Sequence, residues 1–258
     1  MRIIVNDLAI EYADEGAGPV LLMLHGWGDN LHTFDAIARE LSGYRIVRLD
    51  MPGFGASERS QETWDVVEYA RFVESFIKKI QIEPQALIGH SFGGRVIIKG
   101  VGTGIFSPQK IVLIASAGIA RKRTLKSFVL RMFARLGKML TLVPPLSLYR
   151  GQIRKKLYGA IGSDYFASGS MRDVFVKIVR EDLVEFARHI RVPALLIWGT
   201  RDSQTPLSDG EKIRDAIQHS ELEVIDNATH FVHQEYPQRV ASLIKQFIPV
   251  PLETQRKP

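Results

Sequence analysis

Short apolar runs alternate with amphipathic stretches along this chain, and that alternation restricts the available folds more than any other feature. Strand-like runs occur at residues 20–24, 44–49, 86–88, 110–115, 194–198 and 222–225. Between them, residues 31–41, 66–80 and 207–217 carry apolar side chains at helical spacing. A helix between two strands returns the chain to the same end of the sheet, so such strands run parallel. The expected class is therefore α/β, with a mostly parallel sheet and helices on both faces. Ahead of it, residues 3–5 and 8–12 flank Asn6-Asp7 and read as a hairpin leading into the sheet.

The alternation stops between 115 and 194. Residues 124–142, ended by Pro144-Pro145, then 146–158, 171–179 and 183–190, read as helices. Composition changes over the same stretch. Residues 121–190 hold fifteen Lys and Arg against five Asp and Glu, a net +10, which leaves about −4 for the rest of a chain whose total is +6. The expected organisation is a core of residues 1–120 and 191–258 with a helical cap inserted at 121–190. Ligands bind open α/β sheets at the C-terminal ends of the strands, where such an insertion lies as a lid. In 124–142, Phe128, Met132, Phe133, Met139 and Leu140 share a broad face and Arg131, Arg135 and Lys138 another, a basic amphipathic pattern. Its charges either sit in water or give the cap peripheral contact with an anionic membrane. No nucleic-acid recognition motif accompanies the charge.

Hydrophobic residues at 45% and charged residues at 24% suit a globular chain, and no run approaches the ~20 apolar residues that span a bilayer. The first residues reach Glu11, Asp14 and Glu15 without an apolar signal region, so the expected location is the cytoplasm. The absence of cysteine excludes disulfides, thiol nucleophiles and thiolate metal sites.

Gly89-His90-Ser91-Phe92-Gly93 follows one of the apolar runs and precedes the helical-looking 95–99. In a strand, tight turn and helix, the serine stands at the apex with its hydroxyl projecting, and only small residues fit two places to either side. Serine is also a favoured helix N-cap, so the pentapeptide needs partners elsewhere in the chain. A serine hydroxyl becomes nucleophilic when a base takes its proton and a third group fixes that base. Later strand ends supply both types in order: Gly199-Thr200-Arg201-Asp202 after 194–198, and Asp226-Asn227-Ala228-Thr229-His230 after 222–225. Asp202 competes with a bland role as a turn or cap residue near Pro206, and His230 competes with His233.

With His25-Gly26-Trp27-Gly28, Asp50-Met51-Pro52-Gly53-Phe54-Gly55, Gly89 to Gly94, Gly199 to Asp202 and Thr229-His230 through Glu235 and Pro237, the chain resembles the α/β-hydrolase superfamily over roughly residues 20 to 240. The resemblance implies Ser91 as nucleophile, Asp202 as orienting acid and His230, not His233, as base. It implies an oxyanion hole from the backbone N–H groups of Phe92 and Trp27, with His25 and His90 as supporting residues that hydrogen-bond structurally. It also implies a lidded serine carboxylester hydrolase that acts on a small to medium hydrophobic ester through an acyl-enzyme, without cofactor or metal. The same constellation serves carbon–carbon, lactone or thioester hydrolysis, and the fold also serves as a ligand receptor. Thr229 departs from the glycine common before the family's histidine, and its side chain either shifts the loop or bonds locally.

Overall fold

A computed structural model describes residues 1–120 and 171–250. The helical expectations at 124–142 and 146–158, with the amphipathic basic face, lie outside the described residues. Eight strands form one sheet: β1 Arg2–Val5, β2 Leu8–Gly16, β3 Val20–Leu24, β4 Arg45–Leu49, β5 Ala86–His90, β6 Lys110–Ile114, β7 Ala194–Gly199 and β8 Ser220–Ile225. Their spatial order is β1-β2-β4-β3-β5-β6-β7-β8. The β1–β2 and β2–β4 pairs are antiparallel and the other five are parallel. Asn6 and Asp7 turn the hairpin at φ 48° and 62°, the left-handed pair that a two-residue loop requires.

The described helices are α1 Asp35–Glu40, α2 Val66–Lys79, α3 Phe92–Gly102, α4 Arg172–Arg180, α5 Val184–Arg188, α6 Leu207–Ala216, α7 Val232–Glu235 and α8 Pro237–Phe247. Alternate strand residues feed two cores, because successive side chains leave a strand on opposite faces. Leu22, Leu24, Leu113, Leu196 and Trp198 pack with Phe72 and Phe76 of α2, Val96 of α3 and Ile213 of α6. Leu21, Met23, Ile88, Val112 and Ile197 pack on the other side with Ile37 of α1 and Val240 and Ile244 of α8. The α/β-hydrolase arrangement expected from the sequence is thus observed, with apolar burial on both sheet faces.

Several boundaries differ from the sequence reading, each for a local reason. Strand β5 continues through Gly89 and His90, because His90 stays in register with Ile114 despite the weak strand preference of glycine. Residues 31–41 divide into a 3-10 turn, Leu31–Phe34, and then α1. The Asn30 side chain accepts from His32 N and tightens the first turn. Helix α3 starts at Phe92 rather than near Arg95, directly behind the serine.

The described part of the expected cap, 171–190, is tied to the core. Lys177 Nζ donates to Thr63 O at 3.0 Å and lies 3.4 Å from the Asp65 and Glu68 carboxylates, the two residues that form the capping box of α2. Buried Arg95 donates to the carbonyls of Ile178 and Glu181, and Lys99 Nζ pairs with Glu181 Oε1 at 2.5 Å. Both cations belong to α3, so residues 178–181 are fastened to the helix that begins behind Ser91.

Candidate active site

Strands β5 to β8 are neighbours and parallel, so the loops that follow them open on one edge of the sheet. Ser91 follows β5 directly, Asp202 comes three residues after β7, and His230 comes five after β8. Ser91 has φ 47° and ψ −104°, outside the regions open to ordinary residues and typically costing about 1–3 kcal/mol. Three hydrogen bonds hold it there: Ser91 N to Ile114 O (3.0 Å), Ala117 N to Ser91 O (3.0 Å) and Arg95 N to Ser91 O (3.2 Å). A Cβ on Gly89 would lie 2.5 Å from the Gly93 carbonyl carbon, and one on Gly93 would lie 2.0 Å from Leu24 O. Ser91 occupies the N-cap position of α3, yet its side chain makes no capping bond, so the hydroxyl is left for other work.

His230 Nδ1 and Asp202 Oδ2 are 2.8 Å apart, both side chains almost wholly buried. An ionised carboxylate accepts only, so the proton between them sits on Nδ1. Burial pushes the Asp202 carboxyl up, but its bonds from His230 and Thr205 outweigh that and hold it below the ordinary carboxylate value. Asp202 Oδ1 also accepts from the N–H groups of Gln204 and Thr205, each at 2.8 Å. The bonds of a side-chain-capped turn and the contact with His230 therefore coexist in one carboxylate. No hydrogen bond joins Ser91 Oγ to His230 among the described contacts. The elbow and the loop of His230 are joined one residue back, where His90 Nε2 donates to His230 O at 3.0 Å.

His233 points elsewhere. Its Nε2 lies 2.9 Å from Thr33 Oγ1, and burial, with His230 nearby, pushes its pKa down to about 3. The rings of His230, His90 and His233 form a buried column, with centroids 4.8 Å and then 4.3 Å apart. Burial, together with the neighbouring histidines, holds His90 well below the usual imidazole value. The expected structural bonding of His25 and His90 is present. His25 Nδ1 donates to Gly26 O at 2.7 Å and its Nε2 accepts from Met51 N at 2.9 Å. Of the remaining histidines, His32 lies 3.1 Å from Asp35 and is exposed, as are His189 and His219. The Thr229 hydroxyl bonds locally, donating to Glu235 Oε1, while Thr229 N donates to Glu235 Oε2 at 2.8 Å.

The loop after β3 lies against the elbow, since a Cβ on Gly26 would stand 2.8 Å from His90 Nδ1 and 3.5 Å from Ser91 Cβ. Phe92 N–H, first in α3, has no intrahelical acceptor. The Trp27 ring meets Phe54 (4.8 Å), Phe175 of α4 (5.1 Å) and Phe92 (5.4 Å), an aromatic cluster that includes the residue directly after Ser91. Asp50 shapes the neighbouring loop by accepting from Leu31 N and Ala56 N, each at 2.7 Å. A cleft of about 590 Å³ lined by Pro19, Gln85, Phe106 and Pro108 lies at the opposite ends of the strands and shares none of these residues.

Sequence reasoning missed Thr205 and Arg95. Thr205 follows Asp202 by three residues, the spacing of a side-chain-capped turn, and Arg95 is a cation within an otherwise apolar helix start. Phe175 carried no separate signal, because its role depends on where the insertion returns. No cluster suited to a metal ion occurs among the described residues. No described helix is long and apolar enough to cross a membrane.

Comparisons with known proteins agree with this architecture. The alpha/beta hydrolase family model matches residues 21–243. A monoacylglycerol lipase of Mus musculus is 27% identical over 260 residues, covering 90% of this chain and 76% of the lipase. A 2-hydroxy-6-oxononadienedioate/2-hydroxy-6-oxononatrienedioate hydrolase of Paraburkholderia phymatum is 25% identical over 280 residues, covering 94% and 92%. The crystal structure of a membrane phospholipase A, described as a bacterial virulence factor, has a TM-score of 0.75 at 25% identity and covers 100% of this chain and 86% of its own. With the fold, the elbow and a family match over most of its length, the chain belongs to the alpha/beta hydrolase family.

Proposed function

We propose that this protein is a serine hydrolase that cleaves small to medium hydrophobic carboxylic esters through an acyl-enzyme. The observation that carries the reading is the strained Ser91 elbow tied through His90 to a His230 whose Nδ1 lies 2.8 Å from Asp202. His230 Nε2 takes the Ser91 proton as Oγ attacks the carbonyl carbon, while Asp202 keeps the imidazole in the required tautomer. The N–H groups of Phe92 and Trp27 receive the oxyanion, a contribution of about 3 kcal/mol per donor in related chemistry. The intermediate collapses as His230 protonates the leaving alcohol. Water deprotonated by the same nitrogen then releases the acid and restores Ser91. Trp27, Phe54, Phe92 and Phe175 favour an uncharged acyl or alkyl group, as the similarity to a monoacylglycerol lipase also does.

A second reading, hydrolysis of a carbon–carbon bond in a diketone-like acid, draws on the similarity to the dienedioate hydrolase and on the +10 charge of 121–190. The two are separated by a panel of aryl esters, lactones and vinylogous diketones offered to the purified protein. Fluorophosphonate labelling that is lost in Ser91→Ala is the expected result for either. Labelling at full strength in that variant overturns Ser91 as nucleophile.

A further inference from the structure

The acid–base pair has a neighbour that sequence reading did not single out. Thr205 is buried beside Asp202, and its hydroxyl oxygen lies 2.8 Å from Asp202 Oδ2, 3.1 Å from His230 Nδ1 and 3.0 Å from Ala115 O. We propose that Thr205 is a positioning residue of the hydrolytic site, its hydroxyl completing the Asp202 hydrogen-bond shell and holding the His230 imidazole in one orientation. The proposal rests on the serine-hydrolase reading above.

Counting donors and lone pairs assigns the protons. A carboxylate offers about four acceptor positions. Two on Oδ1 are filled by the N–H groups of Gln204 and Thr205, and one on Oδ2 by His230 Nδ1–H. Oδ2 and Thr205 Oγ1 stand at hydrogen-bond distance, and the ionised carboxylate has no proton to place between them. The one hydroxyl proton has two acceptors in reach, Asp202 Oδ2 at 2.8 Å and Ala115 O at 3.0 Å, and the nearer, charged oxygen takes it, which completes the carboxylate's set of donors. An oxygen lone pair on Thr205 remains toward His230 Nδ1–H, so that proton is shared between a near acceptor and a slightly farther one. Rotation of the ring about its Cβ–Cγ bond would break both contacts together.

The threonine is itself held from two sides. Trp198 Nε1 donates to Thr205 O at 2.8 Å, and both residues are buried. Ala115, whose carbonyl faces the hydroxyl, sits at φ 44° with its N–H donating to Ile197 O at 2.9 Å. Two residues on, Ala117 N donates to Ser91 O. One loop after β6 thus contacts the nucleophile's backbone at one end and the support of the acid at the other. A displacement of that loop reaches Ser91 through Ala117 and Asp202 through Thr205.

Thr205→Val keeps the shape and removes the hydroxyl, and Thr205→Ser keeps the hydroxyl and removes the methyl. The expected result is that Thr205→Val is labelled by a fluorophosphonate about tenfold more slowly, the worth of one buried hydrogen bond to a charged group. Thr205→Ser recovers most of that loss. The downfield proton resonance of His230 Nδ1–H shifts in the valine variant and returns in the serine variant. Should the valine methyl fail to pack and the chain not fold, Thr205→Ala takes its place in the same comparison. Labelling of the valine variant at the wild-type rate with an unmoved resonance overturns the role of Thr205, as does a serine variant no better than valine. A wild-type protein that no fluorophosphonate labels overturns the hydrolase reading instead, and the resonance then still decides whether Thr205 orients the ring.

Discussion

The two halves of the site are held by different physics. The elbow around Ser91 depends on backbone and absence of side chains: Gly89 and Gly93 pass so close to their neighbours that a methyl group has no space, and main-chain bonds keep Ser91 at φ 47°. The arm carrying Asp202 and His230 depends on side-chain donors and acceptors, with Asp202 taking bonds from Gln204, Thr205 and His230. The elbow therefore breaks when atoms are added, and the arm when a hydrogen-bonding group is removed. The first failure is one of folding. The second leaves the fold standing and stops the proposed proton transfer.

Asp202→Asn tests the arm and carries the largest expected effect. An amide at that position no longer selects the Nδ1–H tautomer, and the rate on an activated aryl ester should fall about 10⁴-fold, the scale seen when a triad aspartate is changed in this way. Thermal denaturation should show the variant still folded; a variant with near wild-type turnover would break the proposed division of roles. Gly93→Ala tests the elbow. Its Cβ meets the rigid Leu24 carbonyl at 2.0 Å, so the expected loss of stability is about 3 kcal/mol or more, at the upper end for overpacking. Chemical denaturation measures it, and an unchanged midpoint would show that the helix can move off the strand.

The single-residue change with the smallest expected effect lies among the histidines between the two halves. His25, His90 and His233 have folded-state pKa values pushed below 6.5, mainly by burial, with neighbouring histidines adding to the effect at His90 and His233. Below pH 6.5 the unfolded chain binds protons that these buried rings refuse, so stability is present above 6.5 and falls as pH drops. The slope approaches about 1.4 kcal/mol per pH unit for each histidine. Melting temperature should fall between pH 7 and pH 5, and His233→Gln should make that fall shallower. An equal fall in the variant would remove His233 from the account.

Much of this architecture was readable from local pattern. The runs at 20–24 and 194–198 are apolar on consecutive residues because both sheet faces are covered, and β3 and β7 are buried accordingly. Asn6-Asp7 announced the hairpin, and 66–80 announced α2. The last two residues of β5 were not readable, because Gly89 and His90 have little intrinsic strand preference and are kept in the strand by pairing with β6. Ser91, Asp202 and His230 stand out as candidates by order and spacing, but the side chains that touch them do not. Thr205 looked like any residue before a proline, and Arg95 like any surface cation. Their partners, Ala115 O and the carbonyls of Ile178 and Glu181, lie 83 to 90 residues away in the chain.

What the sequence by itself determined is the set of groups: a serine between glycines, an acid and a base each just past an apolar run, and strands that need cover on both faces. These are properties of neighbours along the chain, where spacing and residue size act directly. The tertiary structure decided how the groups meet. It set Asp202 at 2.8 Å from His230, tied His90 to the backbone of His230, and surrounded Trp27 with Phe54, Phe92 and Phe175. Such contacts join parts of the chain that only sheet pairing brings together. A shift of one ångström decides whether a hydrogen bond exists, and no local pattern carries that distance.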